Sequence, residues 1–284
     1  MSELVSYLFN TNAIKICPEK KPFWYTSGKI GPYFINTHFI YGSEQDANNL
    51  LSFIDAEKEN KLDLPKKIFE ETKKQYENNA IYKDVINQMV ASIKEHINVN
   101  EIDYISGGER RDWFFSNLVA NILEKPHISI YKDLSTVVSS SNFENNETVT
   151  NIGNKKVLHI ADLITVASSY VRAWVPAIES LGAKIVWSIA VVDRMQGGEA
   201  ALKECGITSY AMVCIDLDLF STARELGIIT ESQKEMLNAF FADPDGSMRE
   251  FLINTPEFLE NALNSDEKTA ARAKLCVDGN LYNL

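Results

Sequence analysis

Residues 157–169 read VLHIADLITVASS, and residues 191–207 read VVDRMQGGEAALKECGI. Each stretch is an apolar, β-branched run that stops at a turn of small and polar residues and then enters a helical pattern. In open α/β sheets, ligands bind where a strand ends in such a turn and a helix follows. Amides at the start of the helix in the first stretch suit a phosphate group. The two stretches therefore predict an α/β fold with an anion site at one sheet edge.

The segments around these two stretches repeat the same alternation. Strands are predicted at 102–106, 127–131, 156–161, 184–192 and 208–213, with helices at about 168–181 and 197–204. Gly182 and Gly206 follow the two helices as natural stops. Strands that alternate with helices predict a mostly parallel, doubly wound sheet flanked by helices.

Changes of pattern along the chain divide it into four segments. We expect an N-terminal hood at 1–56, a helical insertion at 57–97, the α/β core at 98–215 and a helical C-terminal extension at 216–284. Charged and polar residues dominate 57–84, which predicts a solvated helical segment.

Finer features within these segments are also predicted. One helical face carries Val85, Ile86, Met89, Val90, Ile93 and Ile97. Residues 133–154 are rich in Ser, Thr and Asn without a clear period, which indicates a long loop. Helix N-caps are predicted at Asp112, Thr230, Asp243 and Thr255.

Composition limits the class of protein. The chain has 284 residues, 45% of them hydrophobic, and a net charge of −11. A uniformly acidic chain is unsuited to binding nucleic acid or an anionic membrane through its overall field, although it can hold a local cationic pocket. The N-terminus lacks a signal-peptide pattern, and no apolar run reaches the roughly 18 residues needed to span a bilayer. We therefore expect a soluble cytoplasmic protein.

The four cysteines form neither a CxxC pair nor a zinc or disulfide spacing. We expect reduced, mostly buried thiols at Cys17, Cys205, Cys214 and Cys276.

The turn after the strand at 156–161 carries the first candidate site residues. Thr165, Ser168 and Ser169 supply hydroxyls, and Asp162 at the strand end can accept hydrogen bonds from sugar hydroxyls or contact a magnesium-held group. The turn taken alone fits an ordinary capped helix start equally well. His159 on the same strand is expected to be a packed residue rather than a catalyst.

Two further turns carry charge. Arg194 directly follows a buried strand, and its planar guanidinium suits a carboxylate or an imide edge; a surface ion pair is the alternative. Gly107 and Gly108 allow a backbone to approach an anion closely, and Arg110 and Arg111 add charge; a plain glycine-rich turn is the alternative.

Taken in order, four motifs resemble the orotate phosphoribosyltransferases, a branch of the type I phosphoribosyltransferases. They are YTSGKIGPYFIN at 25–36, GGERRDWFF at 107–115 and the two stretches quoted above. The resemblance covers roughly residues 5–230, and the DRxxGG pattern at 193–198 is its most specific part. It implies a phosphoribosyltransferase-type fold and transfer of phosphoribosyl from 5-phosphoribosyl-1-pyrophosphate (PRPP) to orotate. The products would be orotidine 5′-phosphate and pyrophosphate, in pyrimidine nucleotide synthesis.

The resemblance also implies roles for particular residues. The ribose and its 5′-phosphate would be held by Asp162, Thr165, Ala167, Ser168 and Ser169, and orotate by Arg194 with Thr165. Lys29 and Phe34, with the turn at Ser27 and Gly28, would form a wall beside the base. Pyrophosphate would face Gly107, Gly108 and Arg110, and the catalytic residues would be Asp162 and Lys132. Magnesium would enter with the pyrophosphate of the substrate, and the protein would be a homodimer.

Three positions depart from the family pattern. Ala161 replaces the first of two adjacent acids, and Ala167 replaces a glycine in the phosphate turn. The basic catalytic loop is replaced by residues 131–136, after which no base occurs until Lys155. Two lost charge-assisted contacts, worth about 1.5–3 kcal/mol each, would lower the rate by on the order of two to four decades.

These departures leave alternatives open. Lys132, or Lys155 with Lys156, could supply the missing charge. The chain could instead be a non-catalytic module that binds a phosphorylated ribose or a nucleotide. A phosphoribosyltransferase for another base is a third possibility, although Arg194 suits an acidic pyrimidine better than a purine.

Overall fold

The structure is a computed structural model that describes residues 2–19 and 21–284. Its strands are β1 (Ile14–Ile16), β2 (Phe23–Trp24), β3 (Ile30–Gly31), β4 (Tyr33–Ile35), β5 (Tyr104–Gly108), β6 (His127–Ile130), β7 (Thr136–Ser139), β8 (Asn146–Glu147), β9 (Lys156–Ile164), β10 (Lys184–Asp193) and β11 (Thr208–Cys214). Its α-helices are α1 (Ser2–Asn10), α2 (Glu44–Glu57), α3 (Leu64–Asn78), α4 (Ala80–His96), α5 (Trp113–Ile122), α6 (Val175–Ser180), α7 (Gly198–Glu204), α8 (Leu217–Glu225), α9 (Glu231–Ala242), α10 (Pro244–Asn254), α11 (Pro256–Leu263) and α12 (Glu267–Asp278). Short 3₁₀ helices span Thr37–Tyr41 and Val99–Glu101, and a π-helical turn spans Tyr170–Trp174.

Seven strands form the main sheet, in the order β11-β10-β9-β5-β6-β7-β8. The pairs from β11 to β6 are parallel, and β7 and β8 are added antiparallel at one edge. The interior of β9 and β10 is buried almost throughout, as expected for parallel strands covered by helices on both faces. The predicted α/β fold with a mostly parallel sheet is confirmed.

The long loop expected at 133–154 is wrong in part, because two strands lie within it. All four residues of β7 are buried, and they pair with β6 from Thr136 to Ser139. Val137 and Val138 provide the apolar centre of this strand, but it is too short for its alternation to stand out from the polar residues around it. Phe143 at the following turn is fully buried and stacks on Phe69 of α3.

The helical predictions agree with the structure at most points. All six apolar residues predicted on one face at 85–97 are buried. The charged segment at 57–84 includes α3, which is exposed on one side and buries Leu64, Ile68 and Phe69 on the other. The helix expected at 168–181 is a π-helical turn followed by α6, where Pro176 occupies the first turn. A proline removes a backbone donor, so it is tolerated there and not in a continuous helix.

Three of the four predicted caps lie at helix starts in the C-terminal region. Thr230 forms a reciprocal capping box with Gln233, and the Asp243 side chain accepts a hydrogen bond from the Gly246 amide. Thr255 occupies the cap position of α11 without a side-chain hydrogen bond. Gly182 and Gly206 adopt left-handed φ values of +74° and +75° after α6 and α7, as expected for helix stops.

The chain folds as two compact units rather than along the four expected segments. The central unit comprises residues 37–215, and the terminal unit comprises the described residues of 1–36 together with 216–284. The central unit ends at residue 215, and the N-terminal residues up to 36 group with the C-terminal helices. Aromatic packing explains this, because the Tyr33 ring contacts Phe220, Phe240 and Phe241. Among the described residues, no helix is both long enough and apolar enough to cross a membrane.

Candidate active site

A cavity of about 330 Å³ opens in the central unit where β5 and β9 end. It is lined by the β5–α5 loop at 109–112, by Lys132, and by Ala161 to Tyr170 with Trp174. Seven of the predicted site residues meet here: Arg110, Lys132, Asp162, Thr165, Ala167, Ser168 and Ser169. The structure thus brings together most of the residues that the sequence assigned to ribose, phosphate and pyrophosphate.

The turn from Thr165 to Ser169 forms one wall of this cavity. Ala167 adopts a left-handed φ of +54°, a conformation that glycine takes more readily than any other residue. The neighbouring β10 turn packs directly against this wall, since a Cβ on Gly198 would collide with Ile164 and with the Thr165 carbonyl. The second glycine of the DRxxGG pattern therefore permits a close approach of two turns.

Asp162 lies on the cavity floor and is only 8% exposed. Its Oδ2 atom is buried and has no hydrogen-bond partner among the described residues. Burial, reinforced by the nearby Asp112 carboxylate, raises the pKa of Asp162 to about 7, although Arg111 opposes this shift. Near neutral pH this carboxyl group can therefore either donate or accept a hydrogen bond.

Asp112 departs from its predicted role as a helix cap. It stands at the start of α5 but makes no side-chain cap bond. Its Oδ2 accepts a hydrogen bond from the Gly108 amide at 2.9 Å, and its Oδ1 accepts one from the Asp162 amide at 3.0 Å. The carboxylate thus joins the ends of β5 and β9 beneath the cavity, where it replaces a local cap with longer-range contacts.

His159 supports the same region from within β9. It is fully buried, its Nδ1 lies 2.9 Å from the Ser106 hydroxyl, and its Nε2 lies 3.4 Å from Asp112 Oδ2. The imidazole packs against the rings of Tyr170 and Trp174. This agrees with the expected packed strand residue.

Gly107 and Gly108 are not part of the cavity lining. A Cβ on Gly107 would collide with the Ser116 side chain, and one on Gly108 would collide with the Trp174 ring. The Gly108 amide is already engaged by Asp112. The structure therefore gives both glycines a packing role, in contrast to the predicted contact with pyrophosphate.

The positive charges of the cavity lining belong to Arg110, Arg111 and Lys132, and Glu109 adds a negative charge beside them. Arg110 is also ion-paired with Asp55 of α2. Because Lys155 pairs with Asp103 and Lys156 pairs with Glu101 at the opposite end of β9, neither lysine can replace a cavity cation. The nine residues of β9 separate the two ends by roughly 25 Å at about 3.3 Å per residue.

Lys132 lies in a tight turn that joins β6 to β7. The turn is closed by hydrogen bonds from the Tyr131 amide to the Ser135 carbonyl and from the Leu134 amide to the Tyr131 carbonyl. The Lys132 amide donates to Glu109 Oε2 at 3.0 Å, and its Nζ lies 3.8 Å from Glu109 Oε1. Lys61 also pairs with Asp133 across this turn. A short, anchored turn thus stands where the resemblance implies a mobile basic loop.

The three remaining predicted residues lie outside the cavity lining. Arg194 follows β10, its amide donates to the Ile164 carbonyl, and its Nε is buried without a hydrogen-bond partner among the described residues. Lys29 and Phe34 belong to the terminal unit. There the Lys29 ammonium donates to both Asp245 oxygens, and Phe34 contacts Phe23 edge to face.

Glu109 and Asp112 line the cavity but were not among the predicted site residues. Both follow the glycine pair at the end of β5, and that position in a strand–turn–helix unit is the signal that could have identified them. Within the described part of the chain, no group of three or more His, Cys, Asp or Glu side chains is arranged to hold a metal.

Comparison with known proteins shows the fold of this chain. No family model and no curated protein sequence matches it. Among solved structures, the UMP synthase of Leishmania donovani is 19% identical, with a TM-score of 0.56, over 85% of this chain and 42% of that protein. The orotate phosphoribosyltransferase of Francisella tularensis is 14% identical, with a TM-score of 0.52, over 83% of this chain and 96% of that protein. The chain spans less than half of the Leishmania protein, and it has a fold like that of orotate phosphoribosyltransferases, a type I phosphoribosyltransferase fold.

Proposed function

We propose that this chain is a phosphoribosyltransferase that transfers the phosphoribosyl group of PRPP to orotate or a similar acidic pyrimidine. One observation carries the proposal: a single cavity combines the hydroxyl-rich turn at 165–169, the buried acid Asp162 and the cations Arg110, Arg111 and Lys132. A compound with a phosphate at one end, a diphosphate at the other and sugar hydroxyls between them matches this distribution of groups.

Each part of the substrate has a proposed partner. The amides and hydroxyls of the turn at 165–169 would bind the 5′-phosphate, since they lie where a helical segment begins. Asp162 would bind the ribose hydroxyls through its free Oδ2. The three cations would bind the pyrophosphate, and magnesium would enter with that pyrophosphate and neutralise part of its charge.

The proposed reaction depends mainly on positioning and on neutralisation of charge. The bond between C1 of the ribose and pyrophosphate breaks, and a bond between C1 and a ring nitrogen of the base forms. Arg110, Arg111 and Lys132 would stabilise the negative charge that develops on the leaving pyrophosphate. Arg194 would orient the acidic base, since its buried Nε is without a partner among the described residues. The ring nitrogen gives up its proton to an oxygen of the leaving pyrophosphate, so little further acid–base catalysis is required, and a held geometry supplies much of the rate.

A second candidate function is binding of phosphorylated ribose without turnover. It is favoured by the tight turn at 131–135, which presents Lys132 as its only cation, and by Ala161 in place of an acid. A homodimer stays a prediction from the resemblance, and a cytoplasmic location stays a prediction from the sequence pattern.

The test is orotate consumption, followed by ultraviolet absorbance, with purified protein, PRPP and magnesium. We expect turnover that is lost in Asp162→Asn and retained in Asp103→Asn. Asp103 is a suitable control because it is an aspartate that contacts β9 at the opposite end of the strand, where it accepts a hydrogen bond from the Lys156 amide. No turnover, combined with a rise in melting temperature on addition of PRPP, would favour the binding module. The absence of both turnover and a rise in melting temperature would contradict both functions.

A further inference from the structure

The cavity floor holds two carboxyl groups that come from different strand ends. Asp112 begins α5 after β5, and Asp162 lies on β9, fifty residues further along the chain. Both line the cavity and both are more than nine-tenths buried. Two buried carboxyl groups in the lining of one cavity need an explanation, because burying a charge is costly unless it is paired or hydrogen-bonded.

The two carboxyl groups differ in their hydrogen bonds. Asp112 uses one oxygen for the Gly108 amide and the other for the Asp162 amide. Asp162 keeps its Oδ2 without a partner among the described residues. The carboxylate oxygen that still lacks a hydrogen bond is therefore Asp162 Oδ2, and Asp112 holds the Asp162 backbone through the amide.

We propose that Asp112 is a positioning residue for the ribose site: it fixes Asp162 on the cavity floor and sets the pH range in which Asp162 accepts a hydrogen bond from a ribose hydroxyl. This inference rests on the proposed function.

Several charges around Asp162 determine when it ionises. Asp112 and burial favour its neutral form, and Arg111 favours its charged form. The other titratable or charged groups around the floor and lining are Arg110 and Glu109 from the β5–α5 loop, Lys132 from the β6–β7 turn, His159 from β9, Tyr170 from the π-helical turn and Asp193 from β10. Of these surrounding charges, Asp112 is the one that is hydrogen-bonded to the Asp162 backbone, so its removal is the most direct test.

The first measurement compares two ligands by calorimetry between pH 5.5 and 8.5. Ribose 5-phosphate and 2-deoxyribose 5-phosphate share the same phosphate, so the ratio of their affinities cancels phosphate ionisation and reports the hydroxyl contact. In the unmodified protein we expect this ratio to fall about tenfold from pH 8 to pH 6, as Asp162 takes up a proton. In Asp112→Asn we expect the pH midpoint of this decrease in the affinity ratio to lie about one pH unit or more lower. The reason is that the negative charge that disfavours ionisation of Asp162 is gone.

Two variants separate positioning from folding. Asp112→Glu keeps the negative charge, so its midpoint should stay near that of the unmodified protein even if affinity decreases. Asp103→Asn removes a carboxylate that bridges the same two strands at their other end, and it should leave the midpoint unchanged. An Asp112→Asn midpoint equal to that of the unmodified protein would overturn the inference and leave the proposed function intact.

A second measurement needs no ligand. Carbon-13 NMR of the aspartate side chains follows the titration of Asp162 in the free protein. A lower midpoint in Asp112→Asn than in the unmodified protein would support the inference, and equal midpoints would overturn it. If neither sugar phosphate nor PRPP binds the unmodified protein, the proposed function fails, and the ribose role of Asp112 fails with it even where the NMR midpoint moves.

Discussion

At the scale of single residues, Arg194 should separate binding of the base from binding of PRPP. Its guanidinium lies outside the cavity lining, and its Nε is buried without a partner among the described residues. We expect Arg194→Ala to weaken orotate binding by about 1.5–3 kcal/mol, the usual value of a hydrogen bond to a charged group, and to leave PRPP binding nearly unchanged. Calorimetry with each ligand measures both effects.

The matched control for this prediction is Arg224→Ala. Arg224 pairs with Glu231 at the surface of the terminal unit, and an exposed pair contributes little. Equal loss of orotate and PRPP affinity in Arg194→Ala would contradict the separate roles.

Lys132 should contribute to binding of the pyrophosphate group. It is the only cation that the β6–β7 turn offers to the cavity, and its side chain is 67% exposed, so its loss should not destabilise the fold. We expect Lys132→Ala to reduce PRPP affinity about tenfold or more and to reduce the salt dependence of binding. Lys155→Ala, at the far end of β9, is the control and should bind PRPP normally. An unchanged affinity in Lys132→Ala would remove this lysine from the site.

The sequence could identify site residues whose role is local, but not those whose role depends on contacts across the sheet. Asp162, Thr165 and Ser168 follow directly from the pattern of strand, turn and helix. Asp112 has the pattern of a helix cap, yet one of its acceptor contacts reaches fifty residues along the chain. Gly108 likewise looked like an anion-binding glycine, and it is required by the Trp174 ring that packs on it.

At the scale of elements, strands with a clear local pattern could likewise be predicted, and strands that depend on contacts across the sheet could not. β9 and β10 are long buried strands that are rich in β-branched residues, so the sequence pattern predicts both of them. β7 and β8 have four and two residues, and their position is set by pairing with β6 and with each other. Short strands that depend on a neighbour carry too few residues for a period to be recognised. The edge of the sheet, and with it the tight turn around Lys132, could therefore not be predicted.

Helix α2 should restrain one of the cavity cations. Asp55 on this helix is ion-paired with Arg110, whose guanidinium also lines the cavity. We expect Asp55→Ala to raise PRPP affinity a few-fold, because Arg110 no longer divides its hydrogen bonds between two anions. The free energy of unfolding should change by less than about 1 kcal/mol, as is usual for a partly exposed pair.

Glu57→Ala is the matched control for Asp55→Ala, since Glu57 lies on the same helix and pairs with Lys67 instead. Calorimetry with PRPP and urea unfolding measure the two quantities. A lower PRPP affinity in Asp55→Ala would show that the ion pair positions Arg110 for the ligand rather than withholding it.

At the scale of the whole molecule, the charges of the cavity differ from the overall charge. The chain carries a net charge of −11, yet the cavity gathers Arg110, Arg111 and Lys132 beside the carboxyl groups of Glu109, Asp112 and Asp162, so its formal charges balance. A local group of cations in an acidic protein can bind a small anion without attracting nucleic acid through the overall field. This charge distribution agrees with the proposed small phosphorylated substrate. It also explains why composition argued against nucleic acid and anionic membranes as partners but could not identify a ligand.

Three buried groups of the central unit should give its stability a defined pH dependence. Burial lowers the pKa of His127 to about 3, and burial together with Arg111 and Arg110 lowers that of His38 to about 3. Both pKa values lie below the ordinary histidine pKa of 6.5. Between pH 6.5 and 3 the unfolded chain therefore binds two protons that the folded chain does not bind. Their contribution to stability is complete above pH 6.5 and is lost as the pH falls.

Asp162 acts in the opposite direction. Its pKa is raised from the ordinary 3.8 to about 7, so the folded chain binds a proton between these values that the unfolded chain does not. Two protons favour the unfolded state and one favours the folded state, which leaves a net difference of one. We therefore expect these three groups to lower the free energy of unfolding by roughly 1 kcal/mol per pH unit as the pH falls from 6 to 4.5.

Asp162→Asn provides a sharp test of this balance. It removes the proton that stabilises the folded state, so the slope over the same range should become steeper by roughly 1 kcal/mol per pH unit. Urea unfolding of both proteins at several pH values between 4.5 and 7.5 gives the two slopes. Parallel slopes would mean that Asp162 ionises alike in the folded and unfolded chains, and they would contradict its placement as a buried carboxyl group beside Asp112.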